Sequence, residues 1–193
     1  SFNKRFLAIA LGLSAGIMLY VSFVELMQLS FESLTAIYGM NFGKLITVTG
    51  FVVGLLLMLL IDQLFDHHSI ADFISRSEDE NESVLIKAGV FSAIALAIHN
   101  FPEGFATFTA TVYDPAIGVT LATAIAVHNI PEGIAVSVPI YYATKSKRKA
   151  FYISFLSGLA EPIGALIGFL IFRTVFNEAL FGISFAFCAG IMV

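Results

Sequence analysis

A single cysteine, Cys188, stands in the chain, which excludes an intrachain disulfide and any cluster of thiolates around a metal. It reads as a small apolar residue within a helix. Charge is scarce as well: 12% of the 193 residues are charged against 58% hydrophobic, and the mean hydropathy is +0.90. A soluble domain needs a separate polar surface, and these proportions do not supply one. The sequence therefore predicts an all-α integral membrane protein, a polytopic bundle of transmembrane helices.

At about 1.5 Å per residue, roughly 20 helical residues cross the ~30 Å hydrocarbon core. Phe6 to Val24, uncharged over 19 residues, is the first such run. Leu45 to Ile61 is the second, with Gly50 and Gly54 four apart, a spacing that suits close helix packing. Ala88 to Tyr113, Pro115 to Thr144 and Ala150 to Phe172 follow, and Ala179 to Val193 begins a sixth. Tyr113-Asp114-Pro115 reads as a tight turn between antiparallel helices. Between the second and third spans, about 62–83, the chain is polar and acidic and reads as a loop outside the membrane. Asp62, Asp66, His67, His68 and Asp72 have metal-binding chemistry there but no fixed spacing, and a plain solvated loop accounts for them. Glu25, at the outer end of the first span, reads as a hydrated interfacial acid. The start at Ser1 and the apolar run reaching Val193 read as a piece of a longer protein, here one membrane-embedded domain over 1–193.

Alternating the spans across the bilayer puts Lys4, Arg5, Arg76, Lys87, Lys145, Lys147, Arg148 and Lys149 on one side, with Lys44 and Arg173 on the other. The side rich in Lys and Arg is the cytoplasmic one.

Against this apolar background one phrase occurs twice: His99-Asn100-Phe101-Pro102-Glu103-Gly104 and His128-Asn129-Ile130-Pro131-Glu132-Gly133. On a helix the His and Glu are four apart and the Asn and Glu three apart, so each set shares one face. Pro102 and Pro131 deprive the carbonyls of Ile98 and Val127 of their usual donors and should bend each helix beside its polar cluster. Gly104 and Gly133 should admit a neighbouring helix closely. Glu161, midway along its own span and followed by Pro162, is a third acid beside a kink.

A carboxylate at the bilayer centre costs on the order of 3 kcal/mol or more unless compensated. No Lys or Arg lies between the ends of the spans that carry Glu103 and Glu132. Protons or bound cations must compensate them. Neutral imidazole with carboxylate is a ligand set for borderline divalent ions, and amide oxygen can supplement it. The same ligands suit a membrane metalloenzyme that activates water, whereas a proton pathway leaves the paired His and Asn without a role. The recurrence after 29 residues, in adjacent and oppositely directed helices, is the mark of an inverted repeat. Ala15-Gly16-Ile17-Met18-Leu19, echoed by Ala189-Gly190-Ile191-Met192-Val193, is a weaker sign of the same.

The doubled phrase, followed by Gly158-Leu159-Ala160-Glu161-Pro162-Ile163-Gly164, resembles the ZIP (Zrt/Irt-like protein) family of divalent metal transporters, most closely its bacterial ZupT-like branch. The likeness extends to Ala15-Gly16-Ile17-Met18, to the short turn before Pro115 and to Ser146-Lys147-Arg148. It implies an eight-helix fold of which this chain holds the second to the seventh, with the doubled phrase on the fourth and fifth and Glu161 on the sixth. The family's metal positions then fall on His99, Asn100, Glu103, His128, Asn129, Glu132 and Glu161, the acids bridging one or two ions. Some members lack the second histidine; here it is present as His128. The resemblance further implies a homodimer in the cell inner membrane that imports Zn²⁺ or related ions by alternating access, one helix group carrying the metal past another. Lipid and metal ions are the expected partners, not nucleic acid. No ATP-binding phrase and no resident cofactor are expected, so passage would follow gradients.

Overall fold

The computed structural model describes residues 4–64, 82–174 and 177–193, and all regular structure among them is helical. The first rod is longer than the sequence suggests. Helix α1 (Lys4–Tyr20) passes through a π-helical turn (Val21–Leu26) into α2 (Met27–Tyr38) and ends only at Gly39, whose φ of 79° lets the chain reverse. The expected stop at Val24 is wrong because the polar residues beyond it are accommodated along the helix. Gln28 donates to Glu32 one turn on, at 3.0 Å, while Leu29, Ser30, Ser33 and Leu34 are buried.

The π turn lies on the buried face of this rod. The buried stripe runs through Ser14, Met18, Val21 and Ser22, and on through Leu26, Leu29, Ser30 and Ser33. Steps of three and four keep a helix face in line, and Ser22 to Leu26 is such a step, so the buried face runs unbroken through the turn. The N–H of Met27 bonds to the carbonyl of Ser22, five residues back, and takes up the extra residue.

Helix α3 (Met40–Leu64) returns along α2, to which the Ser30 hydroxyl ties it by donating to Thr47 Oγ1 at 3.0 Å. Its Gly54 faces the Phe187 carbonyl so closely that a Cβ would collide, and Gly190 faces the Phe51 carbonyl in the same way. The small-residue spacing thus does seat α3 on the last helix. The loop expected over about 62–83 needs trimming, since α3 reaches Leu64 and the next helix starts at Glu82. A formed helix gains a hydrogen bond for each residue it adds, so it outlasts the edge of the apolar run. Asp66, His67, His68, Asp72 and Arg76 lie outside the described residues.

Helices α4 (Glu82–Tyr113) and α5 (Pro115–Thr144) pack along each other across the one-residue connection Asp114. Asp114 is extended, as a residue before proline must be, and its carboxylate caps α5 by accepting from the Ala116 N–H at 2.7 Å. Asp114→Ala should lower stability by about 1 kcal/mol, read as a lower thermal midpoint in detergent. Both helices continue through Pro102 and Pro131.

The span expected as Ala150 to Phe172 is two helices, α6 (Lys147–Gly158) and α7 (Ala160–Thr174). Pro162 has no N–H to offer the Gly158 carbonyl, and the Leu159 N–H bonds back to Phe155 and Leu156 at 3.1 and 3.3 Å. Glu161 therefore sits in the first turn of α7. Helix α8 (Glu178–Ile191) closes the bundle, capped by Asn177 accepting from the Ala179 N–H at 2.8 Å.

Four stretches among the described residues are long and apolar enough to cross a membrane: Ala8–Tyr38, Met40–Ile61, Pro115–Thr144 and Lys147–Thr174. The fold is an all-α, multi-pass bundle. Its helices sort into two groups by contact, α4 to α7 in one and the π turn, α2, α3 and α8 in the other. Contacts of α1 with α5 and of α4 with α8 join them. Apolar side chains from both groups fill the junction, among them Met18, Leu26, Ala106, Ile125 and Phe185, with Phe172 stacked on Phe181 at 4.5 Å.

Candidate metal centre

The two phrases meet where α4 crosses α5. On α4, His99 Nε2 lies 3.3 Å from Glu103 Oε1; on α5, His128 Nε2 lies 3.0 Å from Glu132 Oε1. These pairs are one helical turn apart, as their spacing requires. Across the interface His128 reaches Glu103 at 3.3 Å and His99 approaches Glu132 at 3.9 Å, with the imidazole centroids 5.9 Å apart. Two donors bound tetrahedrally to one ion at about 2.0 Å are about 3.3 Å apart, so this spacing is that of a ligand shell. Ligand atoms of His99, His128 and Glu132 lie within 4.8 Å of one another.

Burial sharpens the electrostatics. Glu103 is fully buried, His128 and Asn100 nearly so, while His99 and Glu132 keep some access. Both carboxylate oxygens of Glu103, Oε2 of Glu132, Nε2 of His128 and the amide oxygens of Asn100 and Asn129 are buried without a hydrogen-bond partner. Such groups are costly unless something satisfies them. Most are lone-pair acceptors, so a cation suits them better than another protein dipole. His99 also lines a cavity of about 240 Å³, together with Met58 and Met192.

Glu161 joins the cluster through Asn129, whose Nδ2 donates to Glu161 Oε2 at 2.8 Å. Two glycines make this possible. A Cβ on Gly104 would strike the Glu161 carbonyl, and one on Gly164 would strike that of Phe101, so α4 and α7 touch backbone to backbone. Gly133 behaves differently: Ser154 fills the space beside it and donates to its carbonyl at 3.1 Å. Among the residues singled out from the sequence, the fold thus brings His99, Glu103, His128 and Glu132 into one cluster and pairs Asn129 with Glu161.

One contact was not foreseen. Ser14, on α1, lies 2.6 Å from Nδ1 of His128, and both residues are buried. The available signal was one serine hydroxyl in an apolar run, too common in membrane helices to stand out.

The ZIP Zinc transporter family profile matches residues 66–193, the stretch holding both phrases and Glu161. The chain belongs to the ZIP family. Relatives match this ZIP chain over almost its whole length. The zinc transporter ZupT of Chlorobium chlorochromatii is 50% identical over 198 residues, covering 100% of this chain and 74% of that protein. ZupT of Oceanobacillus iheyensis is 52% identical over 99% of this chain and 74% of its own length, and that of Clostridium perfringens 45% over 99% and 73%. The family resemblance read from the doubled phrase is borne out, and ZIP proteins are transporters rather than enzymes, so the metalloenzyme reading is set aside.

Proposed function

We propose that this ZIP chain moves divalent transition-metal ions, Zn²⁺ among them, into the cytoplasm, and that His99, Asn100, Glu103, His128, Asn129, Glu132 and Glu161 handle the ion in transit. The observation that carries this reading is the buried meeting of two imidazoles and two carboxylates on facing helices, several of their atoms lacking hydrogen-bond partners. Imidazole nitrogen disfavours hard ions such as Ca²⁺ and Mg²⁺, which prefer an all-oxygen shell. Three carboxylates balance one divalent ion or two to within a single charge. Asn100 and Asn129 add neutral oxygens that adapt to either occupancy. That similar chains bear the name zinc transporter supports Zn²⁺ as one cargo.

The distribution of Lys and Arg supports a cytoplasmic position for the side that carries Lys145 to Lys149, and the inward direction is carried over from the family. We place the protein in the cell inner membrane as a homodimer. Along α3 the exposed side chains of Leu45, Val48, Val52, Leu56 and Leu59 offer an apolar face for lipid or a second copy.

Purified protein in liposomes tests the reading directly. Zn²⁺ or Cd²⁺ should accumulate inside, saturably and without ATP, and the His128→Ala variant should carry far less. Correctly inserted protein that passes no metal would overturn it.

A further inference from the structure

We propose that Ser14 is a positioning residue of the metal centre, holding His128 by Nδ1 so that Nε2 faces Glu103 and Glu132. The inference rests on the reading of that centre as a metal site.

A serine hydroxyl has one proton and two lone pairs. Here Ser14 Oγ donates to the His128 carbonyl oxygen at 3.3 Å, and the same Oγ lies 2.6 Å from His128 Nδ1. We assign the hydrogen to Nδ1, so that Oγ turns a lone pair to the ring and directs its own proton at the His128 carbonyl. The Ser14 carbonyl, 3.3 Å from Nδ1, is a second acceptor for it. In a neutral imidazole protonated at Nδ1, Nε2 keeps its lone pair. That lone pair faces carboxylate oxygens of Glu132 at 3.0 Å and Glu103 at 3.3 Å. Three acceptors converging on one buried point need a proton or a cation between them, and a divalent ion satisfies all three at once. Ligating histidines ordinarily have the second ring nitrogen fixed in this way, and Ser14 supplies that fixation.

The hold comes from outside the helices that carry the ligands. Ser14 is on α1, which is continuous with the π turn and α2, whereas His128 belongs to the group of α4 to α7. The other inter-helix side-chain bonds described above, Ser30 to Thr47, Asn129 to Glu161 and Ser154 to Gly133, each stay within one group. The grip on His128 lasts only while α1 stays against α5.

Cd²⁺ binding to the purified chain in detergent, measured by calorimetry on wild type, Ser14→Ala, His128→Ala and the double variant, tests this. Ser14→Ala should weaken binding by about 10- to 100-fold. In the His128→Ala background the same change should shift affinity by no more than about twofold, because the group it positions is gone. Ser14→Thr, which keeps the hydroxyl, should recover most of the affinity. An equal loss in both backgrounds, or wild-type affinity in Ser14→Ala, overturns the proposal alone. Absence of Cd²⁺ binding by wild type overturns the metal-site reading and this one with it. A measurement on the wild type bypasses any folding defect: nitrogen-15 NMR of histidine-labelled, Cd²⁺-loaded protein should show His128 ligating through Nε2 with Nδ1 protonated. Ligation through Nδ1 overturns the proposal.

Discussion

Glu132→Gln should weaken Zn²⁺ or Cd²⁺ binding by on the order of a hundredfold or more while leaving the protein folded and inserted. Glutamine keeps the size of the side chain and removes its charge. At 4 Å a pair of unit charges is worth about 4 kcal/mol at an effective dielectric constant of 20, and a divalent ion feels more. Each ~1.4 kcal/mol is a factor of ten, so the loss stays large after generous discounting for rearrangement. Glu132 Oε1 lies 3.0 Å from the His128 nitrogen that faces the centre, so the charge is removed from within the ligand shell. Protons and metal compete for the same imidazoles and carboxylates, so affinity should fall as pH falls. Titrating metal into wild type and variant between about pH 7.5 and 5.5, the range in which an ordinary histidine changes charge, reads both affinity and released protons. Wild-type binding that ignores pH, together with an unaltered variant, would remove Glu132 from the site.

Gly104→Ala should be among the most damaging substitutions outside the ligands. Any Cβ there meets the Glu161 carbonyl, and backbone does not give way as a flexible side chain does. Helices α4 and α7 must separate, at a cost of about 3 kcal/mol by the measure of overpacked cores. In a chain of this size that is roughly 10 °C in thermal midpoint. Separation also draws Glu161 away from Asn129, so Cd²⁺ binding should suffer with stability. Gly133→Ala is the matched control, because the nearest atom is a serine hydroxyl at 3.4 Å and the midpoint should stay within about 2 °C. Two glycines in equivalent places of a repeated phrase should thus respond unequally, and differential scanning fluorimetry distinguishes them.

The contrast marks how far the sequence could be read. The doubled phrase carries its own geometry, since spacing of three and four on a helix aligns His, Asn and Glu wherever the helix goes, and the one-residue turn at Asp114 forces the two copies face to face. Pro162 likewise announced a disturbance beside Glu161, and the helix breaks at Leu159. What depends on partners distant in sequence was not legible. Nothing in Ser14 itself points to a residue 114 positions away, and nothing in Gly104 or Gly133 says which meets backbone and which meets a side chain. A charge-free run ends at Val24 because Glu25 follows it, and composition alone does not show that the helix carries on past that acid to Tyr38.

The π turn at Val21–Leu26 bears on how this helix is lined up with others. One additional residue in a helix advances the direction of everything after it by about 100°. A gapless comparison with a strictly α-helical counterpart that matches Ser14 and Met18 correctly will therefore pair Leu29 and Ser33 with residues that look away from the bundle. Equivalent positions on either side of the turn differ by one in their offset. Comparisons drawn by facing must carry a single-residue gap there, opposite the extra residue of the π turn.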